Sequence, residues 1–146
     1  MDFNARIIEE FRAGGGKVLG PAEGFSLLLL HTTGARTGAE RVTPVAYQPL
    51  ADGWAVFATH AGAPRHPAWY HNLLAHPETI IEIGTETVLV RARVAGREER
   101  ERIWSRQKAF YPSFATHQTK TTREIPVIVL ERLTARRPGS RALNLG

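Results

Sequence analysis

Two stretches of the chain put groups that bind anions next to groups that bind flat rings. The first, HTTGARTGAERVTPV (His31–Val45), carries the guanidiniums of Arg36 and Arg41 among glycines and threonine hydroxyls. Glycines let backbone N–H groups approach an anion, and a guanidinium forks onto phosphate or carboxylate. The same residue types equally suit a solvated hairpin turn. The second, THAGAPRHPAWYHNLLAHP (Thr59–Pro77), leaves an apolar run through small residues and enters a helix. The N–H groups of a helix's first turn lack intrahelical partners and favour anions. Arg65 adds charge there, and Trp69 and Tyr70 can flank a planar ring. Trp69 and Leu73, four residues apart, also make a plain core face, and the two readings are compatible.

A third stretch, FYPSFATHQ (Phe110–Gln118), repeats Tyr111, Phe114 and His117 at three-residue steps, which places them on one side of a turn or helix. Ordinarily that is core packing. In a functional version it is a pocket wall on which Tyr111 or His117 donates a proton.

Other chemistries find little support. The chain has no cysteine, which excludes disulfides, thiolate metal sites and cysteine nucleophiles. His66, His71 and His76 recur every five residues, but five helical residues turn through about 500°, so the rings diverge and no metal site is expected. No Gly-x-Ser-x-Gly elbow and no Gly-x-Gly-x-x-Gly fingerprint is present.

The elements that must position these residues follow from periodicity. Phe3, Ile7, Ile8 and Phe11 predict an amphipathic helix over Asp2–Ala13, stopped by GGGK (Gly14–Lys17). Strands are predicted at Phe25–Thr33, Arg41–Gln48 (Pro44 suggesting an edge or bulge), Trp54–His60, Thr79–Gly84, Glu86–Val94 and Ile125–Leu133. Helices are predicted near Pro67–Ala75 and over Arg97–Pro112, the latter burying Ile103, Trp104, Gln107 and either Phe110 or Tyr111. Mostly hairpin-linked strands with a few short helices predict a mainly β, α+β protein, a small antiparallel barrel with peripheral helices.

With 146 residues, 42% hydrophobic and 23% charged, the chain suits one globular domain. The reading is an N-terminal helix and linker (1–20), a barrel domain (21–134) and a basic tail (135–146). The early acids of MDFNARIIEE and the lack of an apolar core there argue against a signal peptide, which together with the absence of cysteine fits a cytoplasmic protein. A net charge of +5 favours acidic partners. Nucleic acid is not expected, because neither an aromatic-interleaved basic strip nor a groove helix appears. The apolar face of the first helix allows weak peripheral membrane contact, although packing on the barrel suits it better.

Taken in order, LLLHTTGARTGAERVTPVAY, ATHAGAPRHPAWYHNLLAHPE, VRARV and YPSFATHQTKTTREIPVIVLE resemble the deazaflavin-dependent nitroreductase and quinone reductase family over about Ile7–Leu133. The resemblance implies a split antiparallel β-barrel of the flavin-reductase and pyridoxamine-phosphate-oxidase kind. It also implies coenzyme F420, a deazaflavin bearing a phosphodiester and an oligoglutamate tail, as a hydride donor to a quinone or nitroaromatic acceptor. Carried over residue by residue, GARTG (Gly34–Gly38, with Ala35, Arg36 and Thr37) and Arg41 would hold the phosphate and acidic tail. Val42, Thr43, Pro44, Val45 and Ala46, with Phe57, Ala58, Thr59 and His60, would line the ring system. Ala68, Trp69, Tyr70, His71 and Asn72 would close the phosphate side, and Phe114 would pack over the ring. Tyr111, with His117, would orient or protonate the acceptor, while Thr59 would hydrogen-bond near the reactive ring.

Some family members carry tyrosine at the positions of Ala46, Phe114 and His117, and lysine at that of His60. The resemblance therefore implies a roomier, less phenolic acceptor pocket here, which disfavours nitroimidazole-type reduction. A non-catalytic deazaflavin carrier and an FMN-dependent split-barrel reductase are the alternatives compatible with the same motifs.

Overall fold

A computed structural model of the chain describes residues 3–16 and 26–133. The basic tail and Phe25 lie outside the described residues. Strands β1 (Leu27–Thr33), β2 (Glu40–Leu50), β3 (Gly53–Phe57), β4 (Glu78–Ile83), β5 (Glu86–Val94) and β6 (Val127–Arg132) close into an antiparallel barrel in the order β1-β2-β3-β6-β5-β4. Among the described residues four helices surround it: α1 (Phe3–Ala13), α2 (Ala68–Ala75), α3 (Arg97–Phe110) and α4 (Ser113–Thr119). A 3-10 turn at His60–Gly62 stands between β3 and α2.

Side-chain alternation sorts the strands into two cores. Trp54 and Val56 of β3, Ile128 and Leu130 of β6, and Val88 and Val90 of β5 pack with Leu28, Leu30, Ile81 and the α2 residues Trp69 and Leu73. The opposite faces of β3 and β6 place Ala55, Phe57, Val127 and Val129 against Ile103 and Trp104 of α3 and Phe114 of α4. Both faces of these two strands are therefore buried, which accounts for their nearly continuous apolar sequences. On α3 the buried set is Arg100, Ile103, Trp104 and Gln107. Of the two aromatic residues that follow, Tyr111 packs against this second core while Phe110 is 67% exposed.

Several strand ends depart from expectation, and two of them have a clear local cause. Thr59 takes helical angles (φ −71°, ψ −41°) and His60 a left-handed φ of +47°, so the strand expected to reach His60 stops at Phe57. Beside it, β6 begins at Val127, the register partner of Phe57, rather than at Ile125, after Pro126, which has no N–H to give a ladder.

Strand β2 divides its partners. Residues 40–46 pair with β1, whereas pairing with β3 runs only from Tyr47 to Leu50. Pro44 thus lies where the strand has no β3 neighbour, the edge-like context a proline needs. The barrel's final seam, β1 to β4, is short: its register is Leu29↔Glu82 and Leu30↔Ile81. At that seam Glu82 accepts both forks of Arg12 from α1, at 3.0 and 2.7 Å, and the His31 ring N–H at 2.6 Å. The arginine, with a smaller contribution from His31, holds the Glu82 carboxyl below the ordinary range, against the opposing effect of burial. Phe11 of the same helix is buried, so the apolar face of α1 packs inward.

Candidate functional site

Where β3 leaves β2, a cavity of about 400 Å³ opens. Its walls are Thr43, Pro44, Val45 and Ala46 of β2, Leu27 of β1, and Phe57, Thr59 and His60 at the end of β3. Pro67 and Trp69 come from the start of α2, Phe114 and His117 from α4, and Asn4 and Ile7 from α1. The lining is mostly apolar and aromatic. Its rigidity comes from the second core, in which Phe114 meets Phe57 edge-on with ring centres 5.4 Å apart.

A second cavity, of about 740 Å³, adjoins the first, sharing Thr43 and Trp69 with it. Here the walls are Thr32, the turn residues Gly34, Ala35, Arg36 and Thr37, then Arg41, and Ala68, His71 and Asn72 of α2. The turn is closed by Gly34 N–H to Ala39 O (2.7 Å), Gly38 N–H to Gly34 O (2.9 Å) and Ala39 N–H to the Thr37 hydroxyl (3.1 Å). Gly38 has φ +73°, which only glycine adopts without strain. Asn72 fastens the turn to α2 by accepting the Ala35 N–H at 3.0 Å. Arg36 and Arg41 remain exposed at this rim.

Four of the residues that the resemblance assigns stand apart from both linings, and so does the exposed Arg65. Val42 pairs with His31 in the β1–β2 ladder. Ala58 is buried, with its N–H on Pro126 O. Tyr70 packs with the barrel core and lies 4.6 Å from the His66 ring. Tyr111 lies behind Phe114, ring centres 6.3 Å apart. The other assigned residues, Gly38 of the turn excepted, line one cavity or both.

The angular argument about the histidines does not extend to His66, which precedes α2 and folds back to bring its ring 5.8 Å from His71. Its Nδ1 is instead engaged by Arg123 at 2.9 Å. Among the described residues no group of three histidines or carboxylates converges on a metal position.

Sequence reasoning missed Asn4, Ile7, Leu27 and Pro67 in the linings, and it missed Arg123. The apolar period of α1 was the available signal for Ile7, but it reads the same whether the face meets a core or a cavity.

His60 donates Nδ1–H to Arg65 O at 3.1 Å, which fixes its tautomer and leaves Nε2 as the remaining polar atom of a ring at the cavity's edge. A Cβ on Gly62 would lie 2.6 Å from His117 O, so the turn carrying His60 sits directly on α4. In consequence Thr59, His60 and His117 share one side of the cavity. A flat ring with an anionic arm fits this arrangement, since the apolar compartment opens into one rimmed by two guanidiniums.

Comparison with known proteins agrees. The profile of the F420H(2)-dependent quinone reductase family matches residues 5–132. The F420H(2)-dependent quinone reductase Rv1261c of Mycobacterium tuberculosis is 37% identical over 108 residues, 72% of each chain. The putative F420H(2)-dependent quinone reductase Rv3178 of the same organism is 39% identical over 103 residues, 70% of this chain and 87% of that one. A solved F420-H2 dependent reductase (FDR-A) superposes with a TM-score of 0.66 at 34% identity, over 78% of this chain and 98% of that one. HutZ, the haem storage protein of Vibrio cholerae, shares only the fold, at 16% identity and a TM-score of 0.56 over 92% of each chain. With nearly its whole length matched, the chain belongs to the F420H(2)-dependent quinone reductase family, split-barrel oxidoreductases whose cofactor is coenzyme F420.

Proposed function

We propose that this chain holds F420H2 across the two cavities and passes its hydride to a quinone or a similarly electron-poor acceptor. One observation carries the reading: an aromatic compartment and a guanidinium-rimmed compartment meet at Thr43 and Trp69. A ring tethered to a polyanion needs that division and no other.

In this reading Arg36 and Arg41 pair with the phosphate and the acidic tail, helped by the first-turn residues of α2. The β2 edge from Thr43 to Val45, with Trp69 and Phe57, confines the ring, while Ala46 at the end of that edge borders the acceptor. When bound, F420H2 supplies a hydride, so the chain's own contribution is orientation, exclusion of water and a proton. Thr59 and His117 border the cavity and are the groups placed to hydrogen-bond or protonate an acceptor. Tyr111 lies outside the lining, behind Phe114, so its part is to hold that ring from behind. Tyr111→Phe should lower turnover while sparing cofactor affinity; unchanged turnover removes Tyr111 from the mechanism.

The reading as a whole is tested by titrating the protein with F420 and with FMN, followed by fluorescence, and then by steady-state oxidation of F420H2 with menadione. Selective binding of F420 with turnover is expected. Tight binding without turnover of any quinone would favour a carrier, and selective FMN binding would overturn the assignment.

A further inference from the structure

Arg123 lies between α4 and β6. Its guanidinium nevertheless reaches back to the turn after β3. Nε donates to Ala63 O at 2.9 Å, Nη1 to Ala58 O at 3.1 Å and Nη2 to Thr59 O at 2.7 Å. Nη1 also meets His66 Nδ1 at 2.9 Å. A guanidinium presents its donors in one rigid plane and has no acceptor, so it can gather several carbonyls at once where an ammonium cannot.

The turn it grips needs holding. His60 (φ +47°) and Gly62 (φ +79°) are both left-handed, and His60 pays a steric cost for it that glycine would not. The turn's own bonds are Gly62 N–H to Thr59 O and Ala63 N–H to His60 O, each 2.9 Å. Arg123 is itself anchored, its carbonyl accepting from Gln118 Nε2 of α4 at 2.7 Å.

We infer that Arg123 is a positioning residue for the cofactor site: it seats the Thr59–Gly62 turn on α4 so that Thr59 and His60 face the cavity, and its contact with His66 makes that grip acid-sensitive. The first part of this inference rests on the cavity being the F420 site. Because a guanidinium only donates, His66 Nδ1 must carry no proton in this arrangement. Burial, then the charge of Arg123, then that of His71 push the His66 pKa below its ordinary value of 6.5. The groups facing the His66 ring are Arg123, Tyr70 and His71. Protonation would remove an acceptor and set a second cation against Arg123. The grip is therefore complete above the ordinary histidine range and loosens as pH falls below it.

Amide hydrogen exchange of the cofactor-free protein and fluorescence titration with F420 test this together. Arg123→Lys keeps the charge but loses the fork. At pH 7.5 it should speed exchange at the Gly62 and Ala63 amides about tenfold and weaken F420 binding about tenfold, leaving exchange in β5 unchanged. His66→Asn supplies an acceptor that does not titrate. Wild-type exchange at these two amides, corrected for intrinsic rates, should rise at least about threefold from pH 7.5 to 5.5, while the Asn variant stays flat.

Exchange and affinity within twofold of wild type in Arg123→Lys, or exchange raised equally throughout the barrel, would overturn the positioning role. A parallel acid response in wild type and His66→Asn would overturn the part assigned to His66. If the wild type fails to bind F420, the functional reading falls, while the exchange measurements still decide whether Arg123 and His66 grip the turn.

Discussion

Asn72 and Ala35 are joined by a side-chain to backbone hydrogen bond of 3.0 Å that fastens α2 to the turn after β1. The same side chain donates to the Thr32 hydroxyl at 3.4 Å, so one amide sets the width of the guanidinium-rimmed cavity. Asn72→Ala should weaken F420 binding about tenfold and cost about 1 kcal/mol of stability, one hydrogen bond's worth in each case. Fluorescence titration and thermal melting measure the two; an unchanged dissociation constant would show that the turn keeps its place unaided.

Arg36 and Arg41 are exposed, so their pull on an anionic arm is a screened one. Arg41→Ala should reduce F420 affinity several-fold at low ionic strength, by roughly 1 kcal/mol for one exposed ion pair. The difference from wild type should shrink as salt is raised. A loss independent of salt would mean that Arg41 shapes the turn rather than supplying charge.

Ala46 faces the aromatic cavity from the stretch of β2 that has no β3 neighbour. Ala46→Tyr fills part of that space without touching the β2–β3 ladder. We expect folding and F420 affinity to change little while the KM for menadione rises. Equal effects on both ligands would place residue 46 against the cofactor rather than the acceptor.

Gly62→Ala would force a side chain into a φ of +79° and into contact with His117 O and Lys120 Cβ, which lie 2.6 and 2.8 Å from the added atom. A cost of about 1–3 kcal/mol is expected, roughly 3–10 °C in melting temperature for a chain of this size. A melting temperature within a degree of wild type would mean that the turn can shift away from α4.

Glu82 should impose a pH dependence of its own. Its carboxyl titrates below the ordinary value of 4.5, chiefly through Arg12, so the folded state favours the ionised form. The associated stability is fully present above that value and is lost as pH falls through the lowered one. Glu82→Gln should cost on the order of 1 kcal/mol at pH 7, its partner Arg12 being half exposed, and the gap should close toward pH 3. Denaturant melts at the two pH values give the comparison. A gap that persists in acid would trace it to packing.

Much of this fold is legible in the residues themselves. In β5, Val88 and Val90 point inward while Leu89 is exposed, the period of two that marks a half-buried strand. Ile103, Trp104 and Gln107 face the core of α3 as their spacing demands. The two anion-friendly stretches are adjacent in sequence to the strands that carry them, so their part in the site could be read locally. Arg123 could not: its acceptors lie 57 to 65 residues away, and only the closed barrel brings them together. Asn4 and Ile7 were hidden for a related reason, because an apolar helix face looks the same over a core as over a cavity. The end of β3 is not legible because a left-handed φ is uncommon in any residue but glycine, and nothing in WAVFATH marks His60 for one.

The short β1–β4 seam has a mechanical meaning. A closed sheet has no free edge until one ladder gives way, and the ladder with the fewest rungs gives way first. Here that ladder is clasped from outside by Arg12, so a helix that supplies two cavity residues also keeps the ring of strands shut. Partial opening of this protein should therefore start between β1 and β4 and release α1 in the same event, coupling exposure of the acceptor cavity to transient parting of the barrel.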